Sequence, residues 1–535
     1  MEFLMKKYCS LLFLFFTFVY GNAEQSGATD WFKNGVGYEI FFRSFYDSNG
    51  DGIGDIKGLI EKLDYLNDGV PGGNDLDIDF IWLTPIFQSG SFHGYDVIDY
   101  YTINPRYGTM EDFDTLIVEA DKRGIRIILD LVLNHCSHKH PYFLEAAGDK
   151  TSSKRDWFLF SETNKTWMTW KKTSWGKIAE NDYFWGTFGL PDWNAENPDT
   201  KAYLFDIARF WLAKGIGGFR LDAIKHLIEE EDNGKEKTIN TAGTLSWLRD
   251  FSKMVKDINP EAVLIGEIWD SIESIAEYVN PEGANIDAAF NFGLRGTLFN
   301  IFGFGAKMYS KKVEYSQNAL LSNDSSVVFS GNHDMQRLAS EITTVDDLKA
   351  VAKMLFITPG IPFIYYGDEI RSLHSMGTSG DMLYRNAMAW SNAKNAGFTT
   401  AEKAKVLLST EWEKRNVQNE LSNKNSVLHT YIEMIQLRKS IPGFNNARWI
   451  EYSSTKDVAS FFIETKTELY YCTLNISDKN QNVTIQESEI PVKDGVKRSM
   501  YEEFYPKHKE NKWQKINGIK KIRVKSHELI ILKLQ

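Results

Sequence analysis

Cysteine is nearly absent, with three in 535 residues: Cys9, Cys136 and Cys472. Two thiols as far apart as Cys136 and Cys472 do not make a disulfide framework, and both are expected to be unpaired. Also missing is any apolar run of about 20 residues. The one candidate, residues 11–20, is too short to cross a bilayer comfortably. No short repeat is visible, and no long acidic or basic run. The net charge of −11 is spread along the chain, which argues against nucleic acid or an anionic membrane surface as partner.

What is present starts with an N-terminal export signature. Lys6 and Lys7 precede the apolar residues 11–20, and Gly21-Asn22-Ala23 supplies the small residues that a signal peptidase reads. Cys9 lies before that run, so it is badly placed for a lipid anchor. Residues 1–23 are therefore expected to be a signal peptide. The mature protein is expected to be secreted or periplasmic, without a membrane anchor and monomeric. Hydrophobic residues make up 43% and charged ones 25%, ordinary for a soluble globular chain. Such a length can bury a large core. Aromatics reach 14%, with 15 Trp, enough for both a core and platforms that stack sugar rings.

Eight short apolar runs recur, at 36–42, 80–83, 125–133, 217–221, 262–265, 286–290, 326–329 and 361–366. Several are continuously apolar, as strands buried on both faces of a parallel sheet must be. Helix-like segments such as 110–123, 200–214 and 244–258 separate most of them. Alternating strands and helices, eight times over, predict a (β/α)₈ TIM barrel over 24–137 and 198–447. About 60 residues, 138–197, interrupt the pattern after the third run. A loop that long is functional or a small domain of its own. From 448 to 535 apolar and polar residues alternate, which predicts a C-terminal antiparallel β-sandwich.

In such a barrel the functional groups sit at the C-terminal ends of the strands. The second run leads to His93-Gly94-Tyr95-Asp96. The third ends in Asp130-Leu131-Val132-Leu133-Asn134-His135. The fourth holds Arg220-Leu221-Asp222, the fifth Glu267-Ile268-Trp269, the seventh Asn332-His333-Asp334, and the eighth Gly367-Asp368-Glu369. A lone Asp at a strand end is more often a helix cap. Several such groups converging on one rim make that reading improbable. Three carboxylates with one arginine suit glycoside hydrolysis. A retaining mechanism needs a carboxylate nucleophile and a second carboxyl that gives and then takes a proton, ~5 Å apart. Arg220 lies two residues before Asp222, so strand alternation points both the same way. Arg220 can then hold Asp222 ionised.

On these motifs the chain resembles the α-amylase family, glycoside hydrolase family 13. Residues 130–135, 218–226, 266–269 and 330–334 resemble its four signatures in order, and Leu190-Pro191-Asp192-Trp193-Asn194 a further one. The resemblance implies that Asp222 is the nucleophile, Glu267 the acid/base and Asp334 the third carboxylate, gripping sugar hydroxyls. It further implies that His135 and His333 donate hydrogen bonds to the distorted sugar and that Tyr95 stacks beneath it. Arg220 would be the nucleophile's partner. Lys225 would bind the leaving-group side of the glucan, and His226 and Trp269 would be further substrate-binding residues. Lys225-His226 and Ala223 lean toward α-1,4 links in starch, glycogen or maltooligosaccharides, hence an endo-acting α-amylase. Pro191-Asp192 with Asn194 resembles the oligo-1,6-glucosidase and neopullulanase side. An α-glucosidase, a transglycosylase or a non-catalytic relative are the alternatives.

The sharpest local motif is Asp47-Ser48-Asn49-Gly50-Asp51-Gly52-Ile53-Gly54-Asp55. Oxygen ligands from Asp47, Asn49, Asp51 and Asp55, with the Ile53 carbonyl between them, match the start of an EF-hand loop. The twelfth position is Gly58 rather than Glu, so a structural Ca²⁺ loop without the EF-hand fold is expected. By resemblance, a second calcium would use Asn134, Asn194 and the backbone of His226.

Overall fold

The computed structural model describes residues 28–162, 171–172, 183–232, 235–320, 322–377, 380–492, 495, 498–506 and 514–535. The expected leader and part of the insertion lie outside the described residues. The eight apolar runs become β1 Gly37–Ile40, β2 Phe80–Leu83, β3 Arg126–Val132, β4 Gly218–Asp222, β5 Val263–Gly266, β6 Ala288–Phe290, β7 Ser326–Phe329 and β8 Ile361–Tyr365. Their parallel pairings close a barrel in the order β1-β8-β7-β6-β5-β4-β3-β2.

Strand alternation divides the apolar residues between two cores. Phe80, Trp82, Ile128, Val263, Ile265, Phe290, Val327 and Phe363 fill the barrel interior. Ile81, Leu83, Leu129, Leu131, Phe219, Leu221 and Leu264 pack outward into the larger core shared with the helices. The same period of two sends Asp130, Arg220 and Asp222 inward, between outward-facing leucines. At Gly218 φ is +146°, and a Cβ there would run into the Val263 backbone. Only glycine lets β4 approach β5 this closely.

Several of the helices start where a side chain caps them. Thr109 forms a capping box with Asp112 at the start of Met110–Asp121. Asn197 caps Pro198–Leu212, and Pro198 sits in its first turn. That cap is why this helix begins two residues before the apolar periodicity implied. One element escaped the periodicity altogether. A hairpin of Phe87–Ser89 against Val97–Ile103 follows β2, and its tip carries His93, Gly94 and Tyr95.

The C-terminal strands are β9 Arg448–Glu451, β10 Val458–Glu464, β11 Leu469–Asn475, β12 Gln481–Gln486, β13 Met500–Tyr505, β14 Gln514–Lys515, β15 Ile519–Val524 and β16 Leu529–Leu534. Six form an antiparallel sheet in the order β9-β10-β11-β16-β13-β14, and β12 pairs with β15. Phe462, Tyr471, Ile485, Val524 and Leu532 fill the space between the two sheets. Phe461, Ile463, Tyr470 and Leu474 point the other way and join the barrel's outer core. Alternation thus makes one sheet serve both domains. Cys136 and Cys472 are buried and free, as expected. No helix among the described residues is long and apolar enough to cross a membrane.

Candidate active site

The strand ends meet around a cavity of about 730 Å³ lined by Tyr95, His135, Asp222, Lys225, His226, Glu267, Trp269 and Asp334, together with His93, Phe188, Asp381 and Arg385. At its floor Arg220 is almost wholly buried. Its Nη1 lies 2.9 Å from Asp130 Oδ1 and 2.7 Å from Asp222 Oδ1, and its Nη2 lies 2.7 Å from Glu267 Oε2. A guanidinium presents five donors in a fixed plane, so one side chain orients three carboxylates. The sequence paired Arg220 with Asp222 alone; the fold adds Asp130 and Glu267. Burial pushes the Asp222 carboxyl well up, and Arg220 is the main influence pulling it down. Arg220 thus favours the ionised form that a nucleophile needs.

Glu267 has a second holder. Ala223 stands in the left-handed region at φ +48°, which turns its N–H onto Glu267 Oε2 at 3.0 Å. A non-glycine residue in that conformation stores strain at the site. Both contacts fall on Oε2, so Oε1 is the oxygen available to carry a proton.

Asp130 was not singled out by the sequence. It accepts from the Trp82 indole at 3.2 Å and from the Tyr95 hydroxyl at 2.9 Å, besides Arg220. Burial lifts its carboxyl to about 6 against Arg220's pull. It fixes both the arginine and the ring expected to stack on the sugar. His135 and His226 are pushed down to about 3 and about 4, chiefly by burial. Both are neutral at pH 7 and can donate through one nitrogen while accepting through the other.

Asp334 is gripped by Arg385 Nη2 at 2.6 Å, and His333 Nε2 lies 3.2 Å from its other oxygen. Arg385 also meets Asp381 at 3.0 Å. Nothing in the sequence pattern marked Arg385 or Asp381, because they reach the mouth on a loop far beyond β8. Lys225 donates to the Trp269 carbonyl at 2.9 Å. Trp269 stacks on Phe292 at 4.6 Å and 9° and stays 52% exposed. Phe188, on the inserted segment, is 53% exposed and sits 5.4 Å from both the His135 and His226 rings. These two aromatics flank the cavity beside Glu267. Phe188 lies close to the Leu190–Asn194 motif, which was the available signal for it.

No residue of the Asp47–Asp55 loop lines this cavity. Asp47, Asn49 and Asp51 each accept from the N–H two residues on, so three successive side chains curl over their own backbone. The donors are all hard oxygens, which suit calcium. Among the described residues no cluster of three His, Cys, Asp or Glu forms a metal cage. An ion here would therefore depend on Asn49 and the Ile53 carbonyl as well. Asp55 carries a second duty, capping the helix Ile56–Leu66 through Gly58 N–H. The second expected site needs correction. Asn194 turns away and donates to the Asp156 carbonyl at 2.8 Å. The carboxyl that faces Asn134 is Asp192, whose burial lifts it to about 7. The bridge pairing His135 with Asp192 brings that carboxyl beside Asn134, while the Asp156 carbonyl holds the Asn194 amide.

Comparison with known proteins agrees with this geometry. The model of the alpha amylase catalytic domain matches residues 39–446. The chain belongs to the α-amylase family. It is 33% identical over 495 residues to alpha-amylase 3 of Dictyoglomus thermophilum, covering 90% of this chain and 92% of that one. It is 29% identical over 511 residues to the glucan 1,6-alpha-glucosidase of Streptococcus pneumoniae, covering 85% and 93%. Among solved structures, the alpha-amylase of H. orenii superimposes with a TM-score of 0.79 at 30% identity, covering 94% of this chain and all of that one. This α-amylase-family glycoside hydrolase thus has relatives of more than one bond specificity, and specificity has to be argued from its own cleft.

Proposed function

We propose that this enzyme is a retaining, endo-acting α-1,4-glucan hydrolase of the α-amylase kind. In this reading Asp222 attacks the anomeric carbon while Glu267 gives its proton to the departing glycosidic oxygen. The covalent glycosyl ester on Asp222 is then opened by water, whose proton returns to Glu267. Asp334 and His333 grip sugar hydroxyls, and Tyr95 stacks under the ring. The observation that carries the reading is the single guanidinium of Arg220 touching both Asp222 and Glu267. It supports the short carboxylate separation of a retaining pair over the wider one that leaves room for a water.

The α-1,4 and endo assignments rest on the leaving-group side. Trp269 and Phe188 offer two exposed ring faces there, suited to successive glucose units, with Lys225 between strand ends. Alpha-amylase 3 of Dictyoglomus thermophilum is the relative that agrees. The test is product analysis. Soluble starch should lose iodine staining rapidly while mixed maltooligosaccharides accumulate. Glucose released from maltose or isomaltose, with starch left long, would overturn the endo α-1,4 assignment and favour a glucosidase.

The same proposal includes a structural Ca²⁺ held by Asp47, Asn49, Asp51, the Ile53 carbonyl and Asp55, and export directed by the N-terminal segment. The loop is tied to the segment after β8 by Thr399, which donates to Asp47 Oδ2 at 2.5 Å, and by Lys405 N–H to the Gly52 carbonyl at 2.9 Å. An ion there would brace that segment, which also carries Arg385. Chelation should lower the melting temperature by several degrees, reversed by added Ca²⁺. An unchanged melt would remove calcium from the proposal and leave the catalytic reading untouched.

A further inference from the structure

Glu39 lies on β1 among apolar neighbours and is buried. The sequence gives no reason to single it out, and the proposed chemistry does not use it. Its Oε1 accepts the backbone N–H of His333 at 3.2 Å and lies 2.6 Å from His333 Nδ1. The other ring nitrogen, Nε2, lies 2.7 Å from the Tyr95 hydroxyl oxygen and 3.2 Å from Asp334 Oδ2.

Counting hydrogens settles what Nε2 carries. A phenol has one hydrogen, and Tyr95 gives it to Asp130, the carboxylate paired with Arg220. The Tyr95 oxygen therefore accepts from Nε2. Asp334, paired with Arg385, is an acceptor as well. Both neighbours of Nε2 being acceptors, Nε2 bears a hydrogen. One more proton then lies between Nδ1 and Glu39 Oε1. The pair is either carboxylate with imidazolium or carboxylic acid with imidazole, and Nε2 keeps its hydrogen in both.

We propose that Glu39 is a positioning residue that keeps this proton on the Glu39–His333 axis and so holds Nε2 as a donor to the bound sugar beside Asp334. The proposal rests on the reading of His333 as a sugar-gripping residue. Burial raises Glu39 and lowers His333, which favours sharing the proton over full charge separation. The charged and titratable groups facing the imidazole are Glu39 from β1, Tyr95 and His93 from the hairpin after β2, Asp130 from β3, Arg220 from β4, Asp334 beside it, and Arg385 from the loop beyond β8.

Glutamine at position 39 breaks the arrangement in a defined way. The atom beside the His333 N–H must accept, so the amide oxygen takes the Oε1 place. Nδ1 must then be the N–H, and a neutral ring has a bare Nε2 facing two acceptors. Only protonation of the ring restores the donor, and burial, Arg385, Arg220 and His93 all oppose it.

The experiment compares wild type with Glu39→Gln in the full enzyme. kcat/KM is measured across pH 5 to 9, alongside melting curves and the ¹⁵N shifts of histidine rings. The variant should fold, lose about tenfold in kcat/KM at pH 8, and recover part of that loss toward the acid end as the ring begins to take up a proton. The His333 ring should change from the Nε2–H to the Nδ1–H form. If the variant folds poorly, Glu39→Asp, which keeps a carboxyl at longer reach, should show a smaller loss in the same direction. A ring that stays Nε2–H in the variant overturns the proposal. A ring that changes form while kcat/KM and its pH profile do not would instead overturn the sugar-gripping role of His333.

Discussion

Asp222→Asn is expected to lower kcat on starch by about four orders of magnitude or more, with the melting temperature held within a few degrees. The amide has the carboxylate's shape and its oxygen can still accept from Arg220 at the 2.7 Å position. What it lacks is the negative charge that makes a carboxylate oxygen nucleophilic enough to form the glycosyl ester. Folding should survive because burial already pushes this carboxyl up, so a neutral group is tolerated there. Arg220 also keeps Asp130 and Glu267 as partners. The measurements are the starch rate on protein free of wild type and a thermal melt. Activity above about one part in a hundred would remove Asp222 from the nucleophile role.

Glu267→Gln should cost about three orders of magnitude on the same substrate, and the loss should depend on the leaving group. An α-glucosyl fluoride departs without a proton, so the glycosylation step should recover most of its rate in this variant. The second step still lacks a base to deprotonate water. Azide needs no deprotonation and should speed turnover, giving a glycosyl azide of retained configuration. Neither the fluoride nor azide should help Asp222→Asn in this way. If both variants respond alike to the fluoride, the two roles as assigned are wrong. In Glu267→Gln an amide oxygen in the Oε2 place can still accept from both the Ala223 N–H and Arg220 Nη2, while an amide turned the other way would set its NH2 against both donors. The melting temperature therefore reports whether the left-handed turn at Ala223 survives.

The barrel was legible because its strands obey a rule that sequence displays directly. Strands buried on both faces read as apolar runs, and β2 and β7 fall on the residues the runs marked. At β6 the run promised five residues and the strand has three, since Asn285 is left-handed at φ +56° and Asp287 is spent on the Leu264 N–H. The hairpin that carries Tyr95 was not legible as an element. One of its strands has three residues and its pairing with the other shifts register twice, so no period survives to be read. Asn194 was misplaced because its amide is taken by the Asp156 carbonyl, 38 positions away, a contact that no local pattern displays.

By itself, then, the sequence determined the chemistry on offer and the scaffold that presents it. Eight apolar runs, an arginine two residues before an aspartate, and carboxylates at strand ends are local patterns, and each survives in the fold. The tertiary structure alone decided which groups answer to one another. Arg220 meets Glu267 because β4 and β5 are neighbours. Glu39 meets His333 because closing the barrel brings β1 within reach of the loop after β7. Arg385 meets Asp334 because a loop far along the chain folds back over the mouth. The Arg385–Asp334 pair is 51 positions apart and the Glu39–His333 pair 294. Local periodicity carries no information over such separations; it is set when the barrel closes and each inward side chain must find a partner for its charge.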